Sequence, residues 1–211
     1  METVVYLVRH SECAAKSNVN KIKVSDSEQY FNEKAILSVS GEKRAEELSK
    51  NKELQNIDAV YSSNYVRALE TAKYFALENN TIINIDERLN ERRIGNFGTL
   101  KGKDFHCLQA RDFDFKLSGG ESINQTKKRM SDAIKNILMF EAGNRVIVVS
   151  HSTAIMSILS AWCTIGHNYE DDVILSYGDE TIIDGHFTAP MVFKVVFDGM
   201  NVLSVSYLDI V

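Results

Sequence analysis

The sequence predicts an α/β protein built on a mostly parallel sheet. Short apolar runs typical of buried strands lie at residues 3–8, 58–61, 82–85 and 146–149, and segments with helical spacing separate them. Strands that alternate with helices are typical of parallel sheets, whose carboxyl ends meet at one edge. We therefore expect the residues that follow these strands to lie close together.

Several segments between the strands are predicted to be helical. Their apolar residues recur every three or four positions, and Ser38 or Ser40 is placed to cap the first of them. The predicted helices cover residues 38–48, 65–76 and 121–140, a stretch that begins after His151, and a shorter one at 105–113.

The remaining segments lack a clear period. Residues 11–36 are polar and are interpreted as a long loop over a site, and the last third of the chain is irregular until a hairpin. Its strands are expected at 191–197 and 202–208, around Asp198-Gly199. We expect one domain over residues 1–211, with small cap segments near 11–36 and 99–118.

Composition excludes several classes of protein. Net charge is -5 and the sequence pI about 5.6, which argues against a nucleic-acid partner because phosphate backbones are held by an excess of Lys and Arg. No apolar run reaches the length of a membrane helix, and no signal peptide is visible. Cys13, Cys107 and Cys163 show no metal-ligand spacing, and a reducing cytoplasm is the expected location. The sequence makes no prediction of oligomeric state.

Four cationic or imidazole side chains follow the predicted strands. Arg9 and His10 end the first strand, Arg67 lies in the first turn of the helix after Ser62-Ser63, and His151 follows the strand at 146–149. Taken singly, a surface arginine or a hydrogen-bonded turn histidine explains each of them. Together at one sheet edge they would repel one another without an anion, and helix amides and guanidinium groups suit phosphate. This edge is therefore predicted to bind a phosphoryl group.

Six short motifs follow one another from residue 4 to about residue 160. They are Arg9-His10-Ser11-Glu12, residues 37–41, residues 62–72, residues 89–98, Gly120-Glu121-Ser122 and residues 148–151. In this order they resemble the signatures of the histidine phosphatase superfamily, also called the phosphoglycerate-mutase-like family. The resemblance implies a three-layer α/β/α sandwich with helices on both faces of the sheet.

The resemblance also implies a covalent mechanism. His10 would take the phosphoryl group as phosphohistidine, while Arg9, Arg67 and His151 hold its non-bridging oxygens. Glu91 would give a proton to the leaving oxygen and later activate water; its alternative is a surface carboxylate paired with Arg92 or Arg93. Because positive donors neutralise the transferred group, no metal or other cofactor is required. The residues expected to bind a small phosphorylated substrate are Ser11, Lys16, Arg92, Lys101 and Ser152.

Four positions depart from the family pattern. Ser11 and Ser152 replace glycines, Lys16 stands where an asparagine is frequent, and Met156 where an arginine is common. Ser11 is expected to bring a hydroxyl to the rim of the pocket.

Three functions stay open. A phosphatase is favoured because residues 99–118 form a short stretch, where mutases generally have a longer insertion that excludes water. The sequence Leu-Asn-Glu-Arg at residues 89–92, together with Lys101, favours a phosphoglycerate mutase. Ser11 and Ser152, which replace glycines of the family pattern, favour the third function, a non-catalytic protein that binds a phosphorylated ligand.

Overall fold

The computed structural model describes residues 1–14, 27–100, 102–167, 173–185 and 188–210. The strands are β1 (Glu2–Arg9), β2 (Ala59–Ser62), β3 (Ile83–Ile85), β4 (Arg145–Ser150), β5 (Thr164–His167), β6 (Val173–Tyr177), β7 (Glu180–Gly185), β8 (Met191–Asp198) and β9 (Asn201–Leu208). The α-helices are α1 (Ser27–Lys34), α2 (Val39–Ser49), α3 (Val66–Glu78), α4 (Gly102–Arg111), α5 (Ile123–Phe140) and α6 (Ser152–Leu159). Two short 3₁₀ helices cover Lys52–Leu54 and Glu87–Leu89.

The main sheet has six strands in the order β3-β2-β4-β1-β8-β9. The first four are parallel, β8 is antiparallel to β1, and β9 is antiparallel to β8. The mostly parallel sheet is therefore confirmed. The register places Arg9 beside Ser150 and Ser62 beside Val149, so β1, β2 and β4 end together at one edge.

Helices cover both faces of this sheet. Val5 and Leu7 pack in the core that includes α5 and α6, whereas Tyr6 and Val8 pack in the core that includes α2 and α3. Successive side chains of a strand point to opposite faces, so a strand buried on both faces is apolar throughout, as the run at 3–8 predicted. The three-layer α/β/α sandwich is confirmed.

The helix bounds follow local capping signals. Ser38 accepts a hydrogen bond from the Gly41 amide as the cap of α2, and Ser122 and Gln125 form a capping box at the start of α5. These contacts satisfy amide donors that have no partner inside the helix. In the described part of the chain, none of the helices combines the length and the apolar character needed to cross a membrane.

The prediction of one long loop over 11–36 is wrong for Ser27–Lys34, which form α1; residues 15–26 lie outside the described residues. Contacts along and beyond the helix stabilise it in place of an apolar stripe. The Gln29 amide donates to the Glu33 carboxylate one turn away at 2.9 Å, and to the Tyr65 hydroxyl at 2.8 Å.

The last third of the chain is more regular than the sequence pattern indicated. Strands β5, β6 and β7 form a separate antiparallel sheet in that order. Leu175 and Ile183 from this sheet pack in the core with α5 and α6. Gly178-Asp179, between two apolar runs, is a hairpin signal that could have revealed β6 and β7. The hairpin of β8 and β9 around Asp198-Gly199 is confirmed.

Candidate active site

Two histidines lie side by side where β1 and β4 end. The His10 amide donates to the Ser150 carbonyl at 3.0 Å, and this bond brings the residues after both strands together. The ring centroids of His10 and His151 are 5.1 Å apart, and the two residues are 8% and 0% exposed.

The hydrogen bonds of His10 define which ring nitrogen carries the proton. Its Nδ1 lies 2.7 Å from the Ser11 carbonyl oxygen. Since a carbonyl can only accept, Nδ1 is the protonated nitrogen and Nε2 holds the free electron pair. Burial, and then the positive charges of Arg67 and Arg9, lower the pKa of His10 to about 3. The ring is therefore neutral near pH 7, as a nucleophile must be.

The second histidine, His151, has the opposite arrangement. The Asn90 side-chain oxygen accepts from the Asn64 amide, so it also accepts from the Ser63 hydroxyl 2.9 Å away. With its proton committed there, the Ser63 oxygen accepts from His151 Nε2 at 2.8 Å. Nδ1 of His151 is then the unprotonated nitrogen, and it is buried without a hydrogen-bond partner among the described residues.

Burial and nearby positive charge keep the His151 ring neutral. Burial lowers its pKa well below the ordinary value, and the charge of Arg67 lowers it further. An anion beside the ring would favour the charged form. Nδ1 could then take a proton and donate it in a hydrogen bond to the anion.

Arg67 carries a fixed positive charge into the same region. It is 4% exposed, its guanidinium lies over the Tyr65 ring at 5.2 Å, and it donates to the Asn32 carbonyl of α1. Burial lowers its pKa. Within the described residues no carboxylate forms a salt bridge with it. A buried cation is costly unless an opposite charge joins it, and a bound phosphoryl group would supply that charge.

Arg9 approaches from β1. One guanidinium nitrogen donates to the Thr188 carbonyl oxygen at 2.8 Å. Burial lowers its pKa, while the negative charge of Glu91 raises it. Its half-buried charge also acts on His10, so both guanidinium groups contribute to one positive region.

Glu91 is held by the amino end of α6. Its carboxylate accepts from the amides of Thr153 at 3.2 Å and Ala154 at 3.0 Å, and from the amide of Arg92 at 2.8 Å. The side-chain pairing with Arg92 or Arg93 that the sequence left open is not formed within the described residues. A carboxylate has about four acceptor positions, so Oε2, which accepts only from Thr153 among the described residues, has an acceptor position left.

A cavity of about 470 Å³ adjoins Glu91. The side chains around it carry both signs of charge. They include Glu87, Arg93, Lys116, Glu121 and Arg129, together with Tyr65 and Gln125.

Comparison with known proteins identifies the family. The model of the histidine phosphatase superfamily (branch 1) matches residues 5–190. The chain belongs to this superfamily. The probable phosphoglycerate mutase GpmB of Salmonella choleraesuis (strain SC-B67) is 26% identical over 167 residues, which cover 74% of this chain and 73% of that protein.

Solved structures of other proteins share the histidine phosphatase fold. Bacillus stearothermophilus YhfR superimposes with a TM-score of 0.65 and 23% identity, over 95% of this chain and 94% of that chain. A mycobacterial glucosyl-3-phosphoglycerate phosphatase gives 0.66 and 17%, over 99% and 97%. At these identities the likeness shows the fold.

The structure of this superfamily member brings together the five predicted catalytic residues, whose roles stay predictions. They are Arg9, His10, Arg67, Glu91 and His151.

The five residues predicted to bind substrate are placed differently. Arg92 is buried, with its guanidinium 5.1 Å from the centre of the Phe105 ring in α4. Ser152 is half-buried at the start of α6. Lys16 and Lys101 lie outside the described residues. Substrate binding by any of these stays a prediction.

Ser11 is fully buried, so the expectation of a hydroxyl at the pocket rim is wrong. The hydroxyl donates to the Gly41 carbonyl at 2.7 Å, and the Ser11 amide donates to the Thr71 hydroxyl at 3.0 Å. These bonds join the end of β1 to α2 and α3. The sequence shows neither partner, because both are distant along the chain.

We expect Ser11→Ala to destabilise the protein and to leave its kcat/KM nearly unchanged. The substitution removes a buried hydrogen bond to the Gly41 carbonyl, which costs about 0.5–1.5 kcal/mol in the free energy of unfolding. Chemical denaturation measures that loss, with the half-buried Ser152→Ala as the matched control. A large fall in kcat/KM with unchanged stability would instead make Ser11 a substrate ligand.

Acid should destabilise the protein through His10. The folded-state pKa is about 3 against an ordinary 6.5, so the unfolded chain binds more protons between these values. The stability contribution of neutral His10 is complete above pH 6.5 and is lost as the pH falls toward 3.

We therefore expect the His10→Gln variant to lose less free energy of unfolding than the wild type over that pH range. Urea denaturation at a series of pH values measures this. Parallel curves for the two proteins would contradict a neutral, buried His10.

Some site residues were not predicted. Tyr65 packs edge-on against the His151 ring at 5.0 Å, and Asn90 fixes the proton of Ser63. Cys13 Sγ lies 3.9 Å from His10 Nδ1, and burial raises the pKa of its thiol. The signal that the sequence offers for them is their position, since Tyr65 and Asn90 lie within the motifs at 62–72 and 89–98 and Cys13 directly follows Glu12.

Proposed function

We propose that this protein is a phosphatase that hydrolyses a phosphate monoester through a phosphohistidine intermediate. The observation that supports it most is the state of His10, a neutral ring whose Nε2 is unprotonated. A buried nucleophile beside fixed positive charge suits attack on an anionic phosphoryl group. The superfamily contains phosphatases and mutases, and we propose the first activity for this chain.

The proposed reaction has two displacements at phosphorus. In the first, Nε2 of His10 forms a bond to phosphorus, the bond to the leaving oxygen breaks, and Glu91 gives that oxygen its proton. In the second, Glu91 takes a proton from water, whose oxygen attacks phosphorus while the bond to Nε2 breaks. Phosphate leaves, and both side chains return to their starting states.

Three groups would stabilise the charge of the transferred phosphoryl group. Arg9 and Arg67 supply guanidinium donors. His151 would take a proton from solvent as the anion binds, donate from Nδ1, and give the proton back when phosphate leaves. Donors in place before the reaction starts need no rearrangement during it, which is why such sites lower the barrier. The cavity beside Glu91 would hold the leaving group, since that carboxyl protonates it.

A phosphatase is favoured over a mutase because residues 99–118 are short. A mutase must keep water away from its phosphoenzyme while it retains the bisphosphorylated intermediate. In this chain α4 is the helix described in that stretch. The mutase is the second candidate, because the curated relative GpmB is named a probable phosphoglycerate mutase.

Phosphate release from an aryl phosphate and a panel of phosphorylated metabolites tests the proposal. Turnover would support a phosphatase and rank its substrates. If no phosphate is released, interconversion of 2- and 3-phosphoglycerate is assayed next. Interconversion without release would make the protein a mutase. If neither activity is found, a non-catalytic protein that binds a phosphorylated ligand is the candidate that is left.

A further inference from the structure

An arginine of α5 forms hydrogen bonds with the main chain of the segment that carries Glu91. The Arg129 guanidinium donates to the carbonyl oxygens of Arg88 and Asn90, both at 2.7 Å. Its other two nitrogens donate to the Glu121 carboxylate at 2.8 and 3.0 Å. The planar guanidinium can serve all four acceptors at once, which a lysine cannot do.

Glu121 forms hydrogen bonds with the same segment, at Arg93 on the carboxyl side of Glu91. One of its carboxylate oxygens accepts from the Arg93 amide at 3.0 Å, and its own amide donates to the Arg93 carbonyl at 2.7 Å. Burial alone would raise the pKa of Glu121, but the hydrogen bonds from the Arg129 guanidinium and the Arg93 amide, together with the charge of Arg129, lower it. The pair Glu121–Arg129 therefore fixes the main chain before and after Glu91.

Two glycines allow this close approach. A Cβ on Gly120 would lie 2.3 Å from the Ile94 carbonyl oxygen, and one on Gly95 would lie 2.6 Å from the Ser118 carbonyl oxygen. Gly95 also has a φ of +87°, a backbone conformation that residues other than glycine rarely adopt. Any larger residue at Gly120 would push the two segments apart, so the Gly-Glu-Ser motif is suited to this contact.

We infer that Glu121 and Arg129 are positioning residues that hold Glu91 where it protonates the leaving oxygen, an inference that rests on the proposed function. The carboxylate of Glu91 has two anchors, the amides of α6 and its own main chain. If the main-chain anchor loosens, the carboxyl group moves relative to the leaving oxygen. Displacements of about 1 Å at a reacting group can cost about 10²-fold in rate.

Leaving groups of different basicity provide the test. An alkyl phosphate needs a proton on its departing oxygen, whereas 4-nitrophenyl phosphate releases a stable phenolate without one. We expect Arg129→Lys and Glu121→Gln to lower kcat/KM for an alkyl phosphate by about 10²-fold more than they lower it for 4-nitrophenyl phosphate. Glu91→Gln, which removes the acid itself, should show the same selectivity. Two different positioning variants are used because one of them could fold poorly.

Arg88→Met is the matched control. Arg88 lies in the 3₁₀ helix before Glu91 and pairs at 2.6 Å with Asp86, the residue just before that helix. Among the described residues, its side chain makes none of the bonds around Glu91. Its loss should lower stability and leave the ratio of kcat/KM for the two substrates unchanged.

Three results would overturn the inference. If Glu91→Gln is selective but both positioning variants lower the two rates equally or not at all, the pair has a structural role only. If Arg88→Met is as selective as they are, loss of stability explains the effect. If Glu91→Gln itself shows no selectivity, the proposed role of Glu91 fails and the inference fails with it.

Discussion

Replacing His10 with alanine should lower kcat/KM for phosphate release by at least about 10³-fold, since loss of a covalent nucleophile removes the pathway and leaves only binding and charge stabilisation. The structure gives the physical reason. Nδ1 is committed to the Ser11 carbonyl, so Nε2 is the nitrogen able to attack. Alanine removes it without adding bulk to the buried site.

The measurement combines steady-state rates with capture of the intermediate. Wild-type protein quenched during turnover of a ³²P-labelled substrate should carry an acid-labile label, as expected for phosphohistidine, and His10→Ala should carry none. Cys13→Ser is the matched control, because it changes an atom 3.9 Å from Nδ1 and leaves Nε2 in place. Label on the alanine variant, or near-normal release by it, would contradict the proposed nucleophile.

The placement of His10 and His151 was predictable because it depends on local pattern and strand direction. Apolar runs marked β1 and β4, and parallel strands that end at one edge bring the following residues together. The fold class follows from the same alternation of strands and helices. Each apolar run lies within a few residues of the histidine that it places.

What the sequence could not predict depends on contacts between distant segments. The proton position on His151 is set by Ser63 and Asn90, which lie 88 and 61 residues away along the chain. A serine can satisfy its hydroxyl in several ways, and nothing local indicates that Ser11 bonds Gly41. Helix α1 likewise depends on contacts with α3 more than on its own pattern.

The Gly-Glu-Ser motif illustrates the same limit within the candidate site. Its resemblance to the family was visible at Gly120, Glu121 and Ser122, and the capping role of Ser122 follows from Gln125 three residues later. The pairing of Glu121 with Arg93 and Arg129 requires the fold, because it joins a turn, an irregular segment and a helix.

Arg67→Lys should lower kcat/KM by about 10²–10³-fold, comparable to loss of one preorganised donor to a developing charge. A lysine keeps the positive charge but replaces a planar fork with a single point of contact, so it cannot bind two phosphoryl oxygens together. Burial lowers the pKa of Arg67, and a buried lysine would lose its proton more readily than an arginine. Both effects weaken the hold on the phosphoryl group.

Arg145→Lys provides a matched comparison. Arg145 also lies over a tyrosine, 5.3 Å from the Tyr6 ring, and also donates to a carbonyl, that of Glu53 at 2.6 Å. It stands at the amino end of β4, at the opposite edge of the sheet from the candidate site. Loss of packing should therefore lower the stability of both variants, whereas loss of activity should be confined to Arg67→Lys.

Inorganic phosphate separates ligand binding from folding. A ligand that binds only the folded state raises its stability by an amount that grows with concentration, so phosphate should raise the melting temperature of the wild type and of Arg145→Lys. Arg67→Lys should show a much smaller rise. Equal rises in all three proteins, together with normal turnover by Arg67→Lys, would remove Arg67 from the phosphoryl site and leave its buried charge to be explained by its contacts with Tyr65 and Asn32 alone.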